Sequence, residues 1–269
     1  MTGRYSQYER LKFDRPHDRV LRITMTSPVK LNAMDSILHN EVSRIWADIE
    51  SDPTVSVAII TGAGNAFSAG GDLVHEQKVQ KDYELRMQAM KEARAIVLGM
   101  AACSKPIISA IRGWAVGGGL ACAIMADISI ASKTAKISDG HTKIGVAAGD
   151  HATIIWPLLC GMAKAKYYLL TSDQLTGEEA EKIGLVSLAV DETELDAKAV
   201  DVAVRLASGA QSAIRWTKRA LNLWLKQAEP IFEASLAYEM IGFPGPEAVE
   251  GMQSFIEKRS PNFPQDATL

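Results

Sequence analysis

The 269-residue chain predicts an α/β protein. Short β-branched runs bounded by turn residues recur along it, at Val20–Met25, Val55–Thr61 and Ile107–Ile111. Segments of helical period lie between them. Two glycine-rich loops, Ser68-Ala69-Gly70-Gly71-Asp72 and Gly113-Trp114-Ala115-Val116-Gly117-Gly118-Gly119, each follow closely on one of the later runs. The order strand, helix, strand, loop thus occurs twice, without a repeat at the level of residue identity.

Taken in order, Val20–Met25 reads as a strand closed by Ser27-Pro28. Leu38, Val42, Ile45, Trp46 and Ile49 then fall at helical spacing, with Asp35 or Ser36 as N-cap and Asp52-Pro53 as the stop. Val55–Thr61 is a buried strand, Glu84–Met100 a helix and Ile107–Ile111 a second buried strand. Leu120–Ala126 predicts a buried helix, Ile128–Ala131 and Ala135–Ile137 strands, and His151–Leu159 an apolar helix. Thr176-Gly-Glu-Glu179 is a capping box for a short helix ending at Gly184, and Leu185–Ala189 is the last strand. From Glu192 only helical patterns remain. The shift divides the chain into an α/β core domain (1–200) and a C-terminal helical region (201–269), whose apolar positions Leu223, Trp224, Ile231 and Phe232 are expected to face another subunit.

With 47% hydrophobic and 23% charged residues the chain has the balance of a protein that buries a core. A net charge of -3 without a Lys/Arg block argues against nucleic acid or an anionic membrane as partner. Cys103, Cys122 and Cys160 have no C-x-x-C spacing and sit among apolar neighbours, so buried thiols in a reducing compartment are expected, and no metal site. The polar stretch from Met1 to Arg15 lacks an apolar targeting core, and no run is long enough to span a bilayer, which together predict a cytoplasmic protein.

Gly62-Ala-Gly64-Asn-Ala-Phe67 fails as a dinucleotide fingerprint, since Phe67 replaces the third glycine. P-loop and serine-elbow motifs are absent too. The glycine loops offer another use. Without a Cβ, backbone N–H groups approach a ligand closely, and the second loop opens a helix whose N-terminus favours negative charge. Two such loops meeting in space would form an oxyanion hole, although each alone also reads as a tight turn.

The two loops, together with Ser27-Pro28-Val29-Lys30-Leu31-Asn32-Ala33, Lys105-Pro106-Ile107, Ala126-Asp127-Ile128 and the tail from Phe255 to Phe263, resemble the crotonase or enoyl-CoA hydratase/isomerase superfamily over nearly the full length. The resemblance implies a spiral of repeated ββα units with a C-terminal helical oligomerisation region, forming a trimer or a dimer of trimers. It implies an acyl-CoA substrate, with CoA as part of the substrate and no separate cofactor. The thioester oxygen would be held by the amides of Ala69 and Gly118. CoA would lie along Lys30, Leu31, Ala33, Ala69, Gly71, Asp72 and Leu73, with Phe255 and Lys258 reaching from a neighbouring subunit. Lys30 and Lys258 suit phosphate as mobile point charges.

The acid/base groups depart from that pattern. Hydratases of the family carry two glutamates where this chain has Ala121 and His141. A histidine with a carboxylate partner moves protons near neutral pH, and Asp150 follows nine residues after His141. Asp150 also fits as N-cap of the following helix. The segment from Asp139 to Leu175, with Ile155-Trp156-Pro157, is similar to the carbon–carbon hydrolase branch of the family, of the 6-oxocamphor hydrolase type, which implies His141 and Asp150 as a catalytic pair and His39 as a further histidine. His39 reads equally as structural, and His75 and His151 as solvated or capping. Trp114, Ala121 and Trp156, with Met87, Met90 and Ile137, are expected walls of an apolar acyl pocket. The implied reaction is hydration or isomerisation of an enoyl thioester. The alternatives are cleavage of a β-diketone or β-ketoacyl thioester and a non-catalytic binding protein, the last favoured if His141 lies far from Asp150.

Overall fold

A computed structural model describes residues 3–266, so the first two residues of the polar N-terminal stretch lie outside it. A six-stranded sheet carries the core. Its strands are β1 (Leu11–His17), β2 (Val20–Met25), β3 (Val57–Gly62), β4 (Ile107–Ile111), β6 (Ile128–Ser132) and β9 (Leu188–Val190), in spatial order β1-β2-β3-β4-β6-β9. Only the β1–β2 edge pair is antiparallel. Residues of β3 and β4 are buried throughout, as expected of strands covered on both faces. A smaller sheet joins β5 (Trp114–Val116), β7 (Lys136–Ser138) and β8 (Leu175–Thr176).

Apart from α5, the predicted helices form with small shifts at their ends. Asp35 caps α1 (Ser36–Ser51) by accepting from the Leu38 amide, and the Thr176–Glu179 capping box opens α6 (Gly177–Lys182). α3 (Tyr83–Ala102) lies along α1. α4 (Gly117–Ile124) begins inside the second glycine loop, three residues before the expected start. α5 (Ala152–Thr171) runs well beyond Leu159 and bends at Gly161, whose φ is 77°. Four elements escaped the sequence reading: besides β1 and α2, the short strands β5, inside the second glycine loop, and β8, two residues long. β1 is polar outward and sits on an edge, and α2 (Leu73–Lys81) carries too few apolar residues to show a period.

α7 (Leu195–Ala207) crosses residue 200 and packs on β3 and β4. After α8 (Gln211–Leu221), α9 (Leu223–Gly242) and α10 (Pro246–Ile256) fold back onto their own chain: α9 against α3 and α5, α10 against α2 and the 3-10 turn His141–Ile144. Phe232, Leu236, Met240, Phe243, Ala248 and Met252 thereby join the same apolar core as α1 and α3. Trp224 and Ile231 remain exposed, at 62% and 57%, whereas Phe232 is fully buried. No helix among the described residues is long and apolar enough to cross a membrane.

Candidate active site

The two glycine loops meet. Ser68 and Ala115 form a parallel bridge, with the Ser68 amide donating to Trp114 O (2.9 Å) and the Val116 amide to Ser68 O (3.0 Å). The Lys30–Asn32 turn is tied to the first loop: Asn32 Nδ2 donates to Ala63 O and Ala66 O, and Ser68 Oγ donates to Asn32 O. The amide of Gly118 lies in the first turn of α4, where backbone donors have no partner within the helix. The amide of Ala69 is engaged, donating to Leu31 O at 3.0 Å from a Leu31 held in left-handed conformation (φ 59°). Of the two amides expected to act as oxyanion donors, that of Gly118 thus lies at a helix start and that of Ala69 is taken by Leu31.

Beside Gly118 stands a cluster of buried acids and histidines. The Gly117 amide donates to the backbone carbonyl of Asp139, which anchors the segment leading to His141 against the glycine loop. His141 Nδ1 then lies 3.0 Å from Asp139 Oδ2. This bond assigns the proton to Nδ1 in the neutral ring and turns Nε2 toward Asp150 Oδ1 (3.4 Å) and Glu239 Oε1 (3.8 Å). A Cβ on Gly118 would sit 3.3 Å from Asp150 Oδ2, so the carboxylate is in contact with the second glycine loop. Gly149 permits α9 to approach, because a Cβ there would strike Glu239 and the Ser235 carbonyl. The donor atoms of His141, Asp150 and Glu239 all lie within 4.8 Å of one another. Such a convergence of two carboxyl groups calls for positive charge, and a proton on His141 supplies it.

The electrostatics follow from this crowding. Burial alone would push the His141 proton off, but the Asp139 and Asp150 carboxylates outweigh it and hold the imidazole well above its ordinary range. Burial would raise Asp150, yet His141 and His151 hold it well below the usual carboxylate range. Glu239 is raised well above that range, first by burial and then by Asp150 and Glu76, against the pull of His141. Glu76 on α2 is pushed up to about 7, mainly by burial. Its Oε1 lies 2.4 Å from where a Cβ on Gly71 would sit, so it borders the first loop.

Several expectations need correction. Asp150 is not the cap of α5. His151 occupies that position, and the Asp150 carboxylate points to the two histidines instead. His151 is neither solvated nor a side-chain cap: it is completely buried, with Nδ1 2.5 Å from Asp150 Oδ1. His39 is held by Glu92 (2.6 Å) and adjoins Glu76 without contacting His141. Trp156 and Ile137 are core residues with no exposed surface, Ala121 is 3% exposed, and the Trp114 ring is covered by the Lys136 ammonium at 4.8 Å. These residues do not form an open apolar wall. Met87 and Met90 do line a cleft of about 250 Å³, with Tyr83, Met240, Ile241 and Pro244. Along the expected CoA track, Ala33 is buried, Leu31, Gly71, Asp72 and Leu73 are half-buried, and Lys30, Phe255 and Lys258 are exposed. Asp139, Glu76 and Glu239 were missed. The available signal for Glu239 was its place in the buried stripe Phe232, Leu236, Met240, Phe243, where a charge has no structural reason to be.

A profile described as Enoyl-CoA hydratase/isomerase matches residues 15–266. The chain belongs to that family. It is 34% identical over 260 residues to a probable enoyl-CoA hydratase of Mycobacterium bovis, covering 95% of this chain and 98% of that one. It is 32% identical over 249 residues to (E)-benzylidenesuccinyl-CoA hydratase of Thauera aromatica, covering 91% and 96%. Among solved structures, an enoyl-CoA hydratase/isomerase from Mycobacterium paratuberculosis superposes with a TM-score of 0.86 at 32% identity, over 91% of this chain and 98% of that one. That agreement shows that the protein has the fold of this family.

Proposed function

We propose that the protein acts on an acyl-CoA thioester, stabilising its enolate at the Gly118 and Ala69 amides and moving the proton with His141, Asp139 and Asp150. The observation that carries this reading is the placement of His141 Nε2 and the Asp150 carboxylate beside Gly118, within 3.4 Å of each other. Negative charge developing on the thioester oxygen is stabilised by fixed backbone donors in a site sheltered from water, and a buried imidazole at the same loop takes or returns the proton. Ala69 joins when the thioester oxygen displaces Leu31 O. The separation also disfavours a purely binding role, which needs no buried charge cluster at the glycine loop. CoA would run along the Lys30–Asp72 face, with Lys30 and Lys258 on its phosphates, in a cytoplasmic trimer or dimer of trimers.

One observation favours cleavage of a β-diketone or β-ketoacyl thioester as a second reading. Glu239, kept protonated by burial and by neighbouring carboxylates, is a proton donor 3.8 Å from the ring, suited to quenching a leaving enolate while the ionised Asp150 carboxylate, paired with His141, orients the attacking water. Incubation with enoyl-CoA, β-ketoacyl-CoA and open-chain β-diketones, read by product mass, separates the two. A gain of 18 Da as one product means hydration, and two fragments mean cleavage. Absence of turnover and of affinity for every thioester refutes the thioester reading.

A further inference from the structure

His151 has no part in the reaction as described, yet it is a completely buried histidine at the centre of the charge cluster. Its contacts close a ring. His141 Nδ1 meets Asp139 Oδ2 (3.0 Å) and His141 Nε2 faces Asp150 Oδ1 (3.4 Å). The same Asp150 oxygen receives His151 Nδ1 (2.5 Å), and His151 Nε2 returns toward Asp139 Oδ1 (3.9 Å). Asp150 Oδ1 is thus shared by both imidazoles, while Oδ2 is left on the side of Gly118. The arc between His151 Nε2 and Asp139 Oδ1 is too long for a hydrogen bond, and both atoms are buried without a partner.

We infer that His151 is a positioning residue of the acid–base machinery: by donating to Oδ1 of Asp150 it orients that carboxylate so that Oδ2 is the oxygen offered to substrate or water beside Gly118. The backbone of His151 starts α5, so the ring is aimed by the helix it opens, and no rotation of Asp150 is possible without breaking the bond. Other groups also act on this carboxylate. His141 faces it from the 141–144 turn, Glu239 from α9, Glu76 from α2 and the Cys122 thiol from α4, with Asp139 behind both histidines. Among them, His141 and His151 are the hydrogen-bond donors, and His141 must release its proton during the reaction. His151 is then the donor that keeps Asp150 ionised and in place at that moment.

The test compares H151L, which removes the donor, with H151N, whose amide nitrogen reaches the position of Nδ1. In protein carrying 15N-labelled histidine the five rings are followed from pH 4 to 9. H151L is expected to shift the His141 titration midpoint by about half a pH unit or more, and H151N to restore it. Kinetically, H151L is expected to lower kcat about 10- to 100-fold with KM within threefold, and to move the acid limb upward, since Asp150 then takes its proton at higher pH. H151N keeps kcat within about fivefold. An unchanged His141 titration in a folded H151L overturns the inference, as does an H151N no better than H151L. Should H151L not fold, H151M, which also lacks a donor, is read in its place by the same criteria. The kinetic arm rests on the thioester reading above, whereas the ring titration does not, so failure to find a substrate leaves the inference testable and distinct.

Discussion

Replacing Asp139 by asparagine preserves shape and removes one charge from the buried contact with His141 Nδ1 (3.0 Å, Asp139 side chain without exposed surface). A charge-assisted hydrogen bond of this kind contributes about 1.5–3 kcal/mol, which corresponds to about one to two pH units in the proton affinity of the ring. The sign follows from the direction of the shift. Asp139 is one of the two carboxylates that hold the His141 proton above its ordinary range, so D139N moves the titration midpoint downward. As His141 is raised in the folded protein, its protonation stabilises the fold fully below the unfolded value near 6.5, and that contribution disappears as pH rises through the folded midpoint. D139N is therefore expected to flatten the loss of stability on the alkaline side. In activity, loss of the preferred tautomer lowers kcat/KM about 10- to 100-fold. Histidine-ring NMR against pH, thermal melts from pH 6 to 9 and the pH–rate profile measure the three effects. A D139N protein whose His141 titrates as in the parent, at full activity, refutes the argument.

Three further outcomes concern the frame around the site. An alanine at Gly119 places its Cβ 2.4 Å from Ser68 Cβ and Oγ, so G119A forces the two loops apart. It is expected to cost about 1–3 kcal/mol and to lower Tm by several degrees, and calorimetry showing parent-like stability contradicts the close approach. Lys218, 6% exposed, pairs with Asp127 Oδ2 at 2.7 Å, so K218M strands a carboxylate and costs about 3 kcal/mol, of which the added D127N recovers part in denaturant titrations. Asp52 is lowered to about 2: burial would raise it, and bonds from Thr54 and the Tyr5 hydroxyl outweigh that. Its contribution is present above the unfolded value of 3.8 and lost as pH falls toward 2, so D52N should be the less stable protein at pH 6 and should lose less Tm between pH 4 and 2.

Much of the framework was legible because it is set locally. Val57–Gly62 and Ile107–Ile111 are strands because branched apolar runs of that length, ended by turn residues, have few other stable states. Asp35 caps α1 through a side chain three residues from its partner. The glycine loops were legible for the same reason, and His141 and Asp150 already stood out in the sequence as candidate proton-transfer groups.

What surrounds His141 was decided elsewhere. Asp150 looked like its sole partner because nine residues is a short separation, whereas the fold gives Nδ1 to Asp139 and shares Asp150 with His151. Glu239 arrives from a helix nearly a hundred residues away, admitted by the missing Cβ of Gly149, and the Ala69 amide is claimed by Leu31 across the loop. The sequence by itself determined the strands, helices, turns and family, since these depend on neighbours within a few residues. Only the tertiary structure decided which nitrogen of His141 is offered, which carboxyl group keeps its proton and which amide is free. Those depend on burial and on charges within a few ångströms in space, and the packing of α9 against α3 and α5 brings Glu239 among them.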